Sequence, residues 1–177
     1  MNLANKLTIL RIFLIPIFMV FLLNKIPCGE PIAAGIFIIA AITDILDGHI
    51  ARKRNEVTNL GKFMDPLADK LLVSAALISF VQMGKLPAWI VIIIIGRELT
   101  ISILRAVAAA EGKVIAASLW GKVKTTFQII AIISLLINNF PFSYINFPFD
   151  RIMVWAALIF TVVSGVDYVI INIDVLK

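Results

Sequence analysis

Six apolar segments, each about as long as a helix that crosses a lipid bilayer, follow one another along the chain and constrain its fold more than any other feature. They cover residues 5–23, 31–50, 61–83, 87–110, 119–137 and 152–173. Short links join most of them, and backbone groups in lipid must find their hydrogen bonds within the protein. The pattern therefore predicts an all-α integral membrane protein, built as a bundle of six transmembrane helices.

Composition and charge exclude several other classes of protein. Hydrophobic residues make up 61% of the 177 residues and charged residues only 15%, which excludes a typical water-soluble domain and a disordered chain. The length predicts a single domain over residues 1–177. The one cysteine, Cys28, has no partner for an internal disulfide. The net charge of +5 does not indicate a nucleic-acid partner, because Lys and Arg at the cytoplasmic face of a membrane protein explain it.

The distribution of basic residues predicts the orientation. Nine Lys and Arg residues fall at one membrane face, namely Lys6, Arg11, Arg52, Lys53, Arg54, Lys113, Lys122, Lys124 and Lys177. Three fall at the other face, namely Lys25, Lys85 and Arg151. Because Lys and Arg concentrate on the cytoplasmic side, we expect a multi-pass protein of the cell membrane with both termini in the cytoplasm. The first apolar run lacks a small-residue cleavage site, so we expect it to be a retained helix rather than an export signal.

Four aspartates stand in apolar segments, where carboxylates are costly. Asp44 and Asp47 close the second segment, and Asp65 and Asp69 open the third. At about 100° per residue, the first two lie about 60° apart around a helix and the second two about 40° apart, so each pair shares one face. The short link reverses the chain, and we expect both pairs to meet near the cytoplasmic surface in a polar interior.

Carboxylates held this close repel one another unless a cation lies between them. Their oxygen atoms suit a hard divalent ion, Mg²⁺ or Mn²⁺, with Ca²⁺ as an alternative. Zinc is disfavoured, because the only histidine is His49 and Cys28 is expected at the opposite face. The alternative interpretation is that the aspartates form ordinary ion pairs with neighbouring cations at solvated helix ends. Those cations are Arg52, Lys53, Arg54, Lys62 and Lys70.

From Asp44 to Asp69 the sequence fits D-x2-D-G-x2-A-R-x8-G-x3-D-x3-D at every fixed position. The pattern resembles the signature of the CDP-alcohol phosphotransferases, integral-membrane enzymes of phospholipid synthesis. This resemblance implies six transmembrane helices around a polar site that opens to the cytoplasm. It also implies transfer of a phosphatidyl group from CDP-diacylglycerol to an alcohol, with release of CMP.

The resemblance further implies roles for the matching positions. The implied ligands of a divalent metal, expected as two ions, are Asp44, Asp47, Asp65 and Asp69. Asp69 is also the implied general base, which takes the proton of the acceptor hydroxyl. The positions implied for CDP-diacylglycerol are Asn5, Thr8, Gly48, Ala51, Arg52 and Gly61. For Asn5, Thr8 and Arg11 two interpretations stay open: they reach the nucleotide, or they simply start an interfacial helix.

Cations in the fourth and fifth segments indicate the alcohol. We expect Arg97, Arg105 and Lys124, together with Thr125, to form a pocket for a phosphate group. The alternative is that Lys122 and Lys113 are interfacial anchors and that Glu98 forms a structural pair with an arginine. Residues 96–105, 121–125 and 4–11 are similar to stretches of the bacterial phosphatidylglycerophosphate synthases. That similarity implies sn-glycerol 3-phosphate as the acceptor, and family members are often homodimers.

Two other functions stay open on the sequence alone. A sister enzyme of the same family would use another acceptor, such as phosphatidylglycerol, serine or inositol phosphate. An ion transporter that uses intramembrane carboxylates is the second alternative. It would need acidic residues near the bilayer midplane, whereas here they cluster toward one surface.

Overall fold

The computed structural model describes the backbone of residues 3–24, 26–53, 59–110, 112 and 118–172, and their side chains except at 3–6, 44–53 and 59–66. Within these residues the regular structure is six α-helices and one short 3-10 helix, with no strand. The α-helices are α1 Leu3–Leu23, α2 Gly29–Lys53, α3 Asn59–Gln82, α4 Ala88–Ala110, α5 Leu119–Leu136 and α6 Phe149–Ile171. Each lies on one predicted apolar segment, so the all-α prediction is confirmed for the described residues.

The apolar length of these helices varies. Two of the described helices are long enough and apolar enough to cross a membrane, namely Leu119–Leu136 and Phe149–Ile171. Shorter apolar stretches cover Leu7–Leu23 and Gly29–Thr43. Charged residues interrupt the apolar surface of the other helices; α4, for example, carries both Arg97 and Glu98. Among the described residues, two helices are therefore long and apolar enough to cross a membrane, and the six crossings stay a prediction.

The chain forms two compact units, Met1–Lys85 and Leu86–Lys177. In the first unit α1 packs against both α2 and α3, which also contact each other. Small buried side chains let these helices approach closely. They are Ala33, Ala40, Ala68 and Ala76. At the start of α2, a side chain on Gly29 would collide with the backbone carbonyl oxygen of Phe21 in α1, so this position requires glycine.

In the second unit α6 packs against both α5 and α4. The ring of Phe160 in α6 stacks on Phe127 of α5 with a centroid distance of 4.7 Å. It also stacks on Trp120 of α5 with a centroid distance of 6.1 Å. Trp89 of α4 contacts Trp155 of α6 with a centroid distance of 5.9 Å. These contacts fix α6 as the central helix of this unit.

The link between α5 and α6 is an ordered turn around the 3-10 helix Phe142–Ile145. Asn139 joins its two ends: its Nδ2 donates to the carbonyl oxygen of Phe147 at 2.7 Å, and its Oδ1 accepts from the amide of Asp150 at 3.1 Å. Asn139 has φ of 59°, a left-handed conformation that asparagine tolerates better than most residues. The sequence predicted a link here, and its internal hydrogen bonds were not foreseen.

Candidate active site

The aspartate signature occupies the end of α2 and the beginning of α3. The backbone is helical from Asp44 through Arg52 and again from Gly61 through Asp69, as the spacing predicted. The two helices belong to the same compact unit and contact each other. The side chains of Asp44, Asp47 and Asp65 lie outside the described residues, as do those of Ala51 and Arg52 and the surroundings of Gly48 and Gly61.

Asp69 is the one signature aspartate whose side chain the structure describes. The side chain is exposed, whereas the preceding residue, Ala68, is completely buried. Leu72, three residues further along α3, is also buried. Asp69 therefore borders the buried face of α3, where a carboxylate stays accessible to a ligand. As a donor set, the four signature aspartates offer only carboxylate oxygens, which fits Mg²⁺ or Mn²⁺.

The first helix contributes polar side chains to the interior of the same unit. Thr8 and Arg11 are both fully buried in α1, which packs on the two helices that carry the signature. Both side chains therefore lie in the interior of this unit. A buried arginine needs a compensating anion or hydrogen bonds, and Arg11 has partners. On the sequence alone, Arg11 shares with Asn5 and Thr8 the two interpretations of reaching the nucleotide or starting an interfacial helix. The side chain of Asn5 lies outside the described residues.

In the second unit the polar side chains lie on facing helices. Lys124 of α5 forms an ion pair with Glu98 of α4. The lysine side chain is 1% exposed and the glutamate side chain is 24% exposed. The prediction grouped Lys124 with the arginines in an anion pocket, and the alternative paired Glu98 with an arginine. The structure gives Glu98 a lysine partner instead.

Arg97 is held by the backbone of α6. Its Nη2 lies 3.5 Å from the carbonyl oxygen of Ser164, and a Cβ atom added to Gly165 would lie 3.2 Å from its Cγ. A Cβ atom added to Gly121, in the first turn of α5, would lie 3.9 Å from the same Nη2. Two glycines therefore leave room for this guanidinium group. Its Nε is buried and has no hydrogen-bond partner among the described residues.

Arg105 lies two turns further along α4 and contacts Tyr168 of α6. Its Nε donates to the tyrosine hydroxyl at 3.3 Å, and its guanidinium carbon lies 5.4 Å from the ring centroid, a cation–π distance.

Thr125 differs from the other predicted acceptor residues. Its side chain is exposed, and its hydroxyl donates to the carbonyl oxygen of Gly121 in its own helix at 2.9 Å.

Arg97 and Arg105 share a property that the sequence could not reveal. In the part of the chain that the structure describes, both contact α6 and neither has a carboxylate partner. Arg97 is half-buried and Arg105 is exposed; arginines held by a neighbouring helix without a carboxylate favour an anionic ligand. Sequence spacing identified both arginines, but it could not identify Ser164, Gly165 and Tyr168 as the residues that hold them.

Comparisons with known proteins bear on both units. The sequence model of the family described as CDP-alcohol phosphatidyltransferase matches residues 1–163. The chain is 51% identical to the CDP-diacylglycerol–glycerol-3-phosphate 3-phosphatidyltransferase of Bacillus subtilis, over 99% of this chain and 97% of that protein. It is 40% identical to a protein of the same name from Haemophilus influenzae, over 94% of this chain and 91% of that protein. A probable phosphatidylglycerophosphate synthase of Mycobacterium tuberculosis is 39% identical, over 95% of this chain and 80% of that protein.

Proposed function

The chain belongs to the CDP-alcohol phosphatidyltransferase family, and we propose that it transfers the phosphatidyl group of CDP-diacylglycerol to sn-glycerol 3-phosphate. The products are phosphatidylglycerophosphate and CMP, in the synthesis of acidic phospholipids. One observation carries this proposal: 51% identity over 99% of the chain to a protein named for this reaction. The family match covers the whole of the first compact unit and most of the second, and we propose that residues 1–177 act as one functional domain.

Asp69 is the general base in this proposal. The primary hydroxyl of glycerol 3-phosphate gives its proton to the Asp69 carboxylate as its oxygen bonds to the phosphorus that carries the diacylglycerol. The bond from that phosphorus to the bridging oxygen breaks, and CMP leaves. The exposed carboxylate beside a buried helix face supports this role. Because an aspartate is a weak base, positioning must supply much of the rate.

The signature aspartates are the proposed metal ligands. Asp44, Asp47, Asp65 and Asp69 would hold two ions of Mg²⁺ or Mn²⁺, and their all-oxygen chemistry supports this choice. When bound, the ions neutralise the diphosphate and the departing CMP. The same end of the first unit is the proposed site for the nucleotide. Its proposed residues are Asn5, Thr8, Gly48, Ala51, Arg52 and Gly61.

Arg97 and Arg105 are the proposed ligands of the acceptor phosphate. Arginine suits this role because its planar group forms paired hydrogen bonds with phosphate oxygens. Their contacts with α6 support the proposal, since a held guanidinium loses less freedom on binding. We keep Lys124 and Thr125 in the acceptor site, although Lys124 is paired with Glu98 and the Thr125 hydroxyl bonds to its own helix.

The acceptor is tested by a panel of alcohols. Purified protein is supplied with CDP-diacylglycerol and with glycerol 3-phosphate, phosphatidylglycerol, serine or inositol phosphate, and CMP release is measured. We expect release with glycerol 3-phosphate only. Release with another alcohol and none with glycerol 3-phosphate would assign the chain to a sister enzyme. Ion flux in liposomes without CMP release would favour the transporter.

We also propose that the chain crosses the cell membrane six times, with both termini and the active site in the cytoplasm. Cys28, the only cysteine, is exposed and is expected on the outer face. A membrane-impermeant maleimide added to intact cells should therefore label it. The matched control is Cys28→Ser with Leu119→Cys at the predicted cytoplasmic end of α5, which should be labelled only after permeabilisation. The opposite labelling would reverse the orientation.

We further propose that the protein is a homodimer, which cross-linking in native membranes tests.

A further inference from the structure

The Glu98–Lys124 pair is unequal in its access to ligands. The lysine ammonium is sealed in the interior, whereas about a quarter of the glutamate side chain is accessible. Any small molecule that approaches the pair therefore meets the carboxylate first. A buried ammonium is costly without an anion, so Lys124 depends on Glu98 or a comparable partner. Glu98 is therefore the more accessible member of the pair.

The accessible part of Glu98 lies on the inward face of α4. Glu98 follows Ile94 by four residues and precedes Ile101 by three, and both isoleucines are buried. The outward face of the helix is marked by exposed apolar side chains, among them Leu99 and Ile103. A carboxylate directed to lipid would be expensive, and this position avoids it. The accessible part of Glu98 therefore lies beside the buried residues of α4 and not among its exposed apolar side chains.

The carboxylate has unused hydrogen-bonding capacity. An ionised carboxylate accepts about four hydrogen bonds, and in the described part of the chain its side chain contacts Lys124 alone. The nearby hydroxyl of Ser102 donates to the backbone carbonyl oxygen of Glu98 and leaves the side chain unoccupied. A ligand hydroxyl can therefore bind Glu98 without displacing Lys124.

We propose that Glu98 accepts a hydrogen bond from the secondary hydroxyl of the acceptor and that Lys124 is a positioning residue that holds this carboxylate. The inference rests on the proposed function. A carboxylate repels a phosphate group, so Glu98 suits the uncharged end of the acceptor, while Arg97 and Arg105 suit the phosphate. The primary hydroxyl is the reacting group, which leaves the secondary hydroxyl of glycerol 3-phosphate for Glu98. The residue then selects acceptors that carry a hydroxyl at this carbon.

The test compares two acceptors. Glycerol 3-phosphate and 3-hydroxypropyl phosphate differ only in the secondary hydroxyl, so the ratio of their kcat/KM values measures its recognition. A hydrogen bond to a charged group predicts a ratio of about 10 to 100 in the unmodified protein. Glu98→Ala should bring the ratio close to one, and Glu98→Asp should retain part of it. Glu30→Gln is the matched control, since it changes an ion pair with Lys85 in the other unit and should leave the ratio unchanged.

The double variant Glu98→Ala/Lys124→Met keeps the test decisive if Glu98→Ala alone does not fold, because it also removes the buried ammonium group. It should fold and show a ratio near one. An unchanged ratio, with both acceptors slowed equally, would make the pair purely structural and overturn the inference. A ratio near one in the unmodified protein would also overturn it. If the unmodified protein released no CMP with glycerol 3-phosphate, the proposed function itself would fail, and this inference with it.

Discussion

Replacing Gly165 with alanine tests whether the position of Arg97 sets the affinity for the acceptor. The new Cβ atom would lie 3.2 Å from Cγ of Arg97, whereas carbon atoms pack at about 3.5–4.0 Å. Arg97 must therefore move by roughly 0.3–0.8 Å, and its guanidinium group, at the far end of the side chain, moves as well. Nothing else about the charge or polarity of the site changes.

The expected effect is a loss of acceptor affinity without a loss of stability. A misplacement of about 1 Å can cost on the order of 100-fold in rate, so this smaller shift should raise the KM for glycerol 3-phosphate about 3- to 10-fold. The KM for CDP-diacylglycerol should stay constant. Alanine in a helix interior is favoured over glycine by about 0.5–1 kcal/mol, so the melting temperature should not fall.

Steady-state kinetics with each substrate varied in turn, together with thermal unfolding in detergent, measure these quantities. Gly35→Ala in α2 is the matched control, because a Cβ atom there meets nothing within 4 Å. It should change neither KM. An unaltered KM for glycerol 3-phosphate in Gly165→Ala, or an equal rise in both KM values, would refute the role given to Arg97.

Three further predictions concern other parts of the site. Asp69→Asn should lower turnover by about 100-fold or more while CDP-diacylglycerol still binds, as measured by single-turnover kinetics and equilibrium binding; parallel loss of binding would remove Asp69 from the role of base. Arg105→Ala should raise the KM for glycerol 3-phosphate by about 10- to 100-fold, and Arg105→Lys should do so less, whereas an unchanged acceptor KM would move the phosphate site elsewhere. Gln128→Leu should raise the melting temperature, because the buried Oε1 of Gln128 has no hydrogen-bond partner among the described residues and such an atom costs about 1–3 kcal/mol. A lower melting temperature would mean that a ligand or a water molecule donates a hydrogen bond to this oxygen.

The helices could be predicted from the sequence because their physical cause is local. Apolar runs bounded by proline and glycine located all six, and α4 begins one residue after the predicted start of its segment. The bounds differ where a helix continues beyond its apolar part. Thus α2 ends at Lys53 rather than at residue 50, since hydropathy marks the apolar length and helical hydrogen bonds extend into polar sequence.

The contacts of the candidate site depend on how helices rotate against one another, which local sequence does not encode. Lys124 was expected to lie with Arg105 beside a phosphate, and the local sequence did not indicate its ion pair with Glu98. Nothing in the sequence marked Gly165 as part of the site. Its role, to leave room for the Arg97 side chain, follows only from the packing of Arg97 against it. Residue types therefore indicated the chemistry, while packing of α6 against α4 decided which residues hold the cations.

The central claim is a metal-dependent transfer of a phosphatidyl group to glycerol 3-phosphate, and isotope incorporation tests it most directly. Purified protein is incubated with CDP-diacylglycerol and labelled glycerol 3-phosphate, with EDTA and then with added Mg²⁺ or Mn²⁺. The account predicts labelled phosphatidylglycerophosphate and an equal amount of CMP, both lost with EDTA and restored by the metal. Labelled lipid formed equally well in EDTA, or CMP released without labelled lipid, would contradict it.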